Sequence, residues 1–393
     1  MATAPADGSA VFAGRRRALL ERAAGRGAKA VLAFGHGSAL GAGTQSHGAL
    51  RYLCGWDGRE SPSLLVITAE ATHLLVGSPF MMPLAQTLRR DLVLHDLRPA
   101  AWAGMVGTLV EEGAGTVGFG EMPARIHGLF GPLAQGLALD EELSRQRLLK
   151  DDAAIANHRT AAKLCDMLFR QLGSELARRI PAWQVQLELE MAARRAGADY
   201  CRTWLTVLPQ ADFCRYWREE ALQVPQIGDQ VALGVALTVE GHWGHGIRMG
   251  SIGPQKPEHK VLVDHVEAML EAGLSALQPG APLGGVEAAM EREFDRRRIK
   301  ANYPGLRRFR SGHGLGFSYE DPLLTDAFRQ HFDPTAPAAS PPVIALAPGM
   351  LFELHPNLFV PGVGGAALGE MVLITEDGPL SMLDFPRQCV EWT

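Results

Sequence analysis

This 393-residue chain has no paired cysteine motif, no long apolar run and no marked excess of charge, and each absence removes a class of protein. Its five cysteines, Cys54, Cys165, Cys201, Cys214 and Cys389, are odd in number, scattered and without a CxxC pair. Neither a disulfide framework nor a thiolate zinc site is therefore expected. No stretch reaches the roughly 18 apolar residues of a membrane span. Asp7 and the run Arg15–Arg17 break the order of a signal peptide, so a cytoplasmic protein is expected. A net charge of -5 supplies no basic field, which argues against nucleic acid or an anionic membrane as partner. What remains is 47% hydrophobic and 21% charged, an ordinary globular composition long enough for two or three cores. A small-molecule enzyme is the default expectation.

Strand-like runs (30–34, 64–68 and 73–76) alternate with helical spacing over the first 140 or so residues, which predicts a small α/β domain. Polar residues dominate Asp140–Asp152, and the boundary is placed there, giving domains 1–148 and 149–393. Beyond it the spacing predicts helices over 153–176, 183–196 and 258–277, stopped by Pro181, Gly197 and Pro279-Gly280. Strands are expected at 203–208, 230–239, 349–354 and 370–375. The second half is thus α+β.

Several local patterns stand in a telling order. Arg51-Tyr52-Leu53-Cys54-Gly55-Trp56 precedes the 64–68 strand. Lys150 opens a helix, and Gly228-Asp229-Gln230-Val231 opens a strand. Gly312-His313-Gly314-Leu315-Gly316 is followed by Glu320 and Pro322. Ala347-Pro348-Gly349-Met350 and Met371–Gly378 close the series. Together they resemble the creatinase, aminopeptidase P and prolidase family. The resemblance implies an α+β pita-bread catalytic domain behind an N-terminal α/β domain. It also implies a homodimer in which the N-terminal domain covers the neighbouring active site.

Peptidases of that family hold two divalent ions with two Asp, one His and two Glu. Here Gly241–Met249 lies over the segment of the second Asp, which puts His245 at that position and Gly234 at the first. His313 keeps the His position. His355 stands at the first Glu and Gly369 at the second, with Glu370 one residue on, where strand alternation turns it away unless a bulge restores it. The upstream His used as a base by creatinase is replaced in Arg215-Tyr216, and the later His by Tyr319.

Three neutral imidazoles, His245, His313 and His355, with Glu353 on the His355 side of its strand, suit acid–base catalysis without metal. No cofactor is favoured on this reading; the alternative is one divalent ion (Zn, Fe or Mn) among the three histidines. Glu370 is kept as a further catalytic candidate. Arg310 and Arg215 are candidates for gripping a substrate carboxylate. Tyr216, Tyr319 and His242 are candidates for lining the pocket, and Trp56 and Arg59, read as following the N-terminal hairpin, for closing it.

The expected activity is a small-molecule hydrolase or lyase of the creatinase or ectoine-hydrolase type, acting on a C–N or related bond. Alternatives are a single-metal enzyme, an Xaa-Pro metallopeptidase and a non-catalytic binding protein.

Overall fold

A computed structural model of the chain describes residues 9–37, 45–110, 113–212, 215, 218–318, 328 and 344–392. It divides into two compact units, Met1–Arg147 and Leu148–Thr393. Among the described residues no helix is long and apolar enough to cross a membrane, and Cys54, Cys165, Cys201 and Cys389 are free thiols.

The first unit is built on strands β1 (Ala30–Gly35), β2 (Ser63–Ile67), β3 (Thr72–Val76), β4 (Val93–Asp96), β5 (Ala114–Val117) and β6 (Leu137–Ala138), in sheet order β4-β3-β2-β1-β5-β6. Every residue of β1 and β2 is buried, as their unbroken apolar runs require of central strands covered on both faces. Helices α1 (Ser9–Ala24), α2 (Gln45–Cys54), α3 (Met82–Leu88), α4 (Trp102–Leu109), α5 (Ala124–His127) and α6 (Asp140–Leu148) accompany the sheet. Leu32, Phe34, Leu64, Val66, Trp102, Val106 and Phe119 share one core.

The hairpin is β2–β3, and the expectation that Trp56 and Arg59 follow it does not hold. Arg51–Cys54 form the last turn of α2, closed by the bond from the Gly55 amide to the Arg51 carbonyl. Gly55 sits at φ 63°, a conformation natural to glycine after a helix. Trp56 and Arg59 therefore precede the hairpin.

The second unit opens with α7 (Asp152–Ala177), whose Asp151 side chain caps the Ala154 amide at 2.9 Å, and α8 (Ala182–Arg195). Strands β7 (Tyr200–Leu208), β8 (Gln230–Val239) and β9 (His242–Ile252) follow as an antiparallel meander. Helices α9 (Pro257–Ala276), α10 (Gly284–Arg296) and α11 (Ile299–Asn302) lead to β10 (Gly312–Gly314), β11 (Leu351–Leu354), β12 (Asn357–Val360), β13 (Gly364–Ala367), β14 (Glu370–Thr375), β15 (Gly378–Ser381) and β16 (Val390–Trp392). They form sheets β16-β9-β8-β7, β10-β11-β14-β15 and β12-β13. A reciprocal bridge between Ile247 and Gly369 ties β9 to the residue preceding β14, which brings His245 toward β10 and β11.

Candidate functional site

His313 on β10 lies directly opposite Glu353 on β11 in the antiparallel register. Along β11 the side chains alternate: Leu354 faces Gly273 of α9, while Glu353 turns to the other side. His245 enters from β9 and His355 from just beyond β11. The four polar side chains meet with almost no solvent contact, Glu353 at 0%, His245 and His313 at 1% and His355 at 4%.

One carboxylate oxygen, Glu353 Oε2, serves all three rings. It lies against His245 Nδ1, 3.2 Å from His313 Nε2 and 3.6 Å from His355 Nε2. The rings of His245 and His313 stack at 5.5 Å, and His313 and His355 tilt together at 5.1 Å. Burial holds the His245 imidazole well below its usual range, with His313 and His355 adding to the effect. Burial does the same for His355, helped by His313. Rings kept neutral in this way are suited to accept a proton or to ligate. His313 Nδ1 is 2.9 Å from the Gly314 carbonyl, which can only accept, so Nδ1 carries a hydrogen and Nε2 is the nitrogen that faces Glu353.

The two glycines near the cluster are not empty places. A Cβ built on Gly234 would lie 1.9 Å from the Trp204 indole, its cross-strand partner on β7. That indole also lies 5.1 Å from the His245 ring. A Cβ on Gly369 would lie 2.4 Å from Glu353 Oε1. Trp204 is the site residue that sequence reading missed. A tryptophan on a strand reads as core, and only its pairing with Gly234 reveals what its ring replaces.

Glu370, retained as a catalytic candidate, is corrected by the structure. No bulge intervenes, and alternation sends its side chain away from the imidazoles to Arg248, 3.1 Å away and fully buried, with Arg387 at 3.8 Å. Arg248 also donates to the carbonyls of Gly369 and Phe385. Burial raises the Glu370 carboxyl, while Arg248 and then Arg387 oppose the rise.

The sequence model described as metallopeptidase family M24 matches residues 156–376, more than half of the chain. The chain belongs to family M24. It is 24% identical over 258 residues to the uncharacterized peptidase YqhT of Bacillus subtilis, covering 65% of this chain and 68% of that protein. It is 25% identical over 250 residues to an agropine synthesis cyclase of Rhizobium rhizogenes, covering 58% and 57%. The chain thus spans about two thirds of the length of its curated relatives, or less. The Xaa-Pro dipeptidase of Bacillus anthracis superposes with a TM-score of 0.77 at 18% identity, over 97% of this chain and 99% of that one, which establishes the pita-bread fold.

Against the two-ion centre that M24 peptidases hold, this M24 chain does not fit. Of the five ligand positions that the sequence resemblance implies, only His313 would keep its residue. The volumes at Gly234 and Gly369 are taken by Trp204 and Glu353.

The remaining candidates are dispersed. Arg310 adjoins the cluster, and its charge acts on His355. Arg215 turns to Asp212 at 2.8 Å and the Glu220 carbonyl at 3.3 Å, while its own carbonyl receives the Leu205 amide. It therefore holds a turn rather than joining the imidazoles. His242 lies off the cluster, its ring 4.2 Å from Phe317 and 5.1 Å from His158 of α7, as an odd spacing from His245 on one strand requires. Trp56 is a core residue of the first unit, 1% exposed and donating to Ser63 Oγ at 2.9 Å, because its ring is packed inside rather than lying on a loop. Arg59 is exposed, its amide bonded to Asp57. Tyr216, Tyr319, Glu320 and Pro322 lie outside the described residues.

Proposed function

We propose that this M24-family hydrolase cleaves a C–N or related bond of a small, polar, carboxylate-bearing substrate, and does so without the two-ion centre of the peptidases. The carrying observation is the Glu353 carboxylate set among three buried imidazoles, where the neighbouring ligand positions are filled by other matter. His245, His313 and Glu353 converge on one point and orient the attacking water. His355, beside Phe309 and within reach of the Arg310 charge, exchanges the proton with the leaving nitrogen. Arg310 grips the substrate carboxylate through its fork of donors. A relative named for a cyclisation supports the view that an M24-like chain can host chemistry other than peptide cleavage.

Turnover of a panel of N-acyl amino acids, cyclic amides and amidines, set beside Xaa-Pro dipeptides in Mn2+ buffer, tests the reading. Hydrolysis is expected within the small-molecule panel, and it should be lost in Glu353→Gln. Efficient cleavage of the dipeptides with nothing turned over in the panel would overturn it.

A further inference from the structure

We infer that His245, His313 and Glu353 bind a single divalent ion, Zn2+, Co2+ or Fe2+, in place of the family's two. The inference rests on the functional reading above and adds a ligand to the same site.

The geometry supplies three converging donors. One donor atom from each residue lies within 4.8 Å of the others. His313 Nε2 and Glu353 Oε2 are 3.2 Å apart, close to the edge of a tetrahedron with metal–ligand bonds of about 2.0–2.1 Å, which is roughly 3.4 Å. The orientation is also that of a ligand. The Gly314 carbonyl accepts a hydrogen bond from Nδ1–H of His313, which leaves Nε2 as the nitrogen aimed at a carboxylate oxygen. With the ring neutral, Nε2 and Oε2 are both acceptors, and a cation between them satisfies both. A carbonyl behind the ring is the support that metal-bound histidines commonly have.

The charge points the same way. Glu353 has no solvent contact, and its ion pairs among the described residues are with imidazoles alone. A carboxylate so placed is costly until a cation joins it. Two imidazole nitrogens and one carboxylate oxygen favour Zn2+, Co2+ or Fe2+ over Mg2+ or Ca2+. The same filling of the Gly234 and Gly369 positions limits the stoichiometry to one. His355 Nε2, 3.6 Å from Glu353 Oε2, is placed to become a fourth ligand or to stay free for protons. When bound, such an ion supplies Lewis acidity to a water or carbonyl.

Titration of chelator-stripped full-length protein with Co2+, followed by the visible ligand-field band and by calorimetry, tests this directly. One equivalent should saturate the band, Zn2+ should displace it, and Mn2+ should compete at least about 100-fold more weakly. Glu353→Gln, checked for unchanged circular dichroism, should weaken Co2+ binding by about 100-fold or more. His313→Ala should do the same. Absence of a tight ion in folded protein whose substrate turnover survives chelation overturns the ion but leaves the functional reading intact. Binding of two equivalents overturns both.

Discussion

Glu353 and Glu370 stand on neighbouring strands of one sheet, both with 1% exposure or less, and they live in opposite electrostatic worlds. Glu370 faces Arg248 and Arg387, cations that do not lose their protons. Glu353 faces three imidazoles, whose charge depends on what else is present. The first arrangement fixes a backbone: Arg248 holds the Gly369 carbonyl as well as Glu370. The second leaves a charge to be completed by a proton, a substrate or an ion. A buried carboxylate is therefore not in itself a sign of catalysis; the constancy of its partner separates the structural one from the chemical one.

The contrast can be broken by substitution. Arg248→Ala should have the largest effect, leaving Glu370 uncompensated and lowering stability by about 3–5 kcal/mol in denaturant titration, whereas Arg248→Met combined with Glu370→Leu should recover much of it. Glu353→Gln should do the reverse, lowering turnover by about 10²–10⁴-fold while the midpoint of thermal unfolding moves little. If Glu353→Gln unfolds the protein and spares the rate of what remains folded, the two carboxylates are alike and the contrast fails.

Smaller effects sharpen the picture. Gly234→Ala should cost about 1–3 kcal/mol because its methyl meets the Trp204 ring. In a double-mutant cycle with Trp204→Leu the two changes should couple by about 1–3 kcal/mol. Additive costs would mean that the ring does not fill that place. Arg310→Ala should raise KM about tenfold with kcat nearly unchanged, as expected for a group that binds the substrate equally throughout. The smallest effect concerns pH. Burial lifts the Glu370 carboxyl above its ordinary 4.5, so the folded chain binds that proton more tightly than the unfolded chain. Its contribution to stability should fall as pH rises from 4.5 through the folded-state value, then level off. Glu370→Gln should remove that slope from a stability–pH profile.

Much of this was legible in the chain itself because it rests on short-range periodicity. Strand alternation alone put Glu353 and His355 on one side, and it put Glu370 on the other once a bulge was set aside. The helices at 152–177, 182–195 and 257–276 follow from apolar spacing and from their Pro and Gly stops. What stayed hidden depends on register between strands. Nothing in Thr203-Trp204-Leu205 announces that its ring lies over Gly234, and nothing in Gly246-Ile247-Arg248 announces that Arg248 reaches Glu370, 122 positions away. Placing Trp56 and Arg59 after the N-terminal hairpin passed over a local signal, in which Leu50, Leu53 and Cys54 are spaced as one buried helix face before a glycine stop.

The interlock of Trp204 with Gly234 also governs which neighbouring sequences are open to this protein. An aspartate introduced at 234 meets an indole already in place. A smaller residue at 204, introduced first, leaves a void that costs about 3–5 kcal/mol with no ligand gained. Either order of the two steps passes through an unfavourable intermediate, so the path to an aspartate at 234 is a valley rather than a slope. Directed evolution by single substitutions should for that reason explore new substrates around the histidine cluster more readily than it installs a two-ion centre.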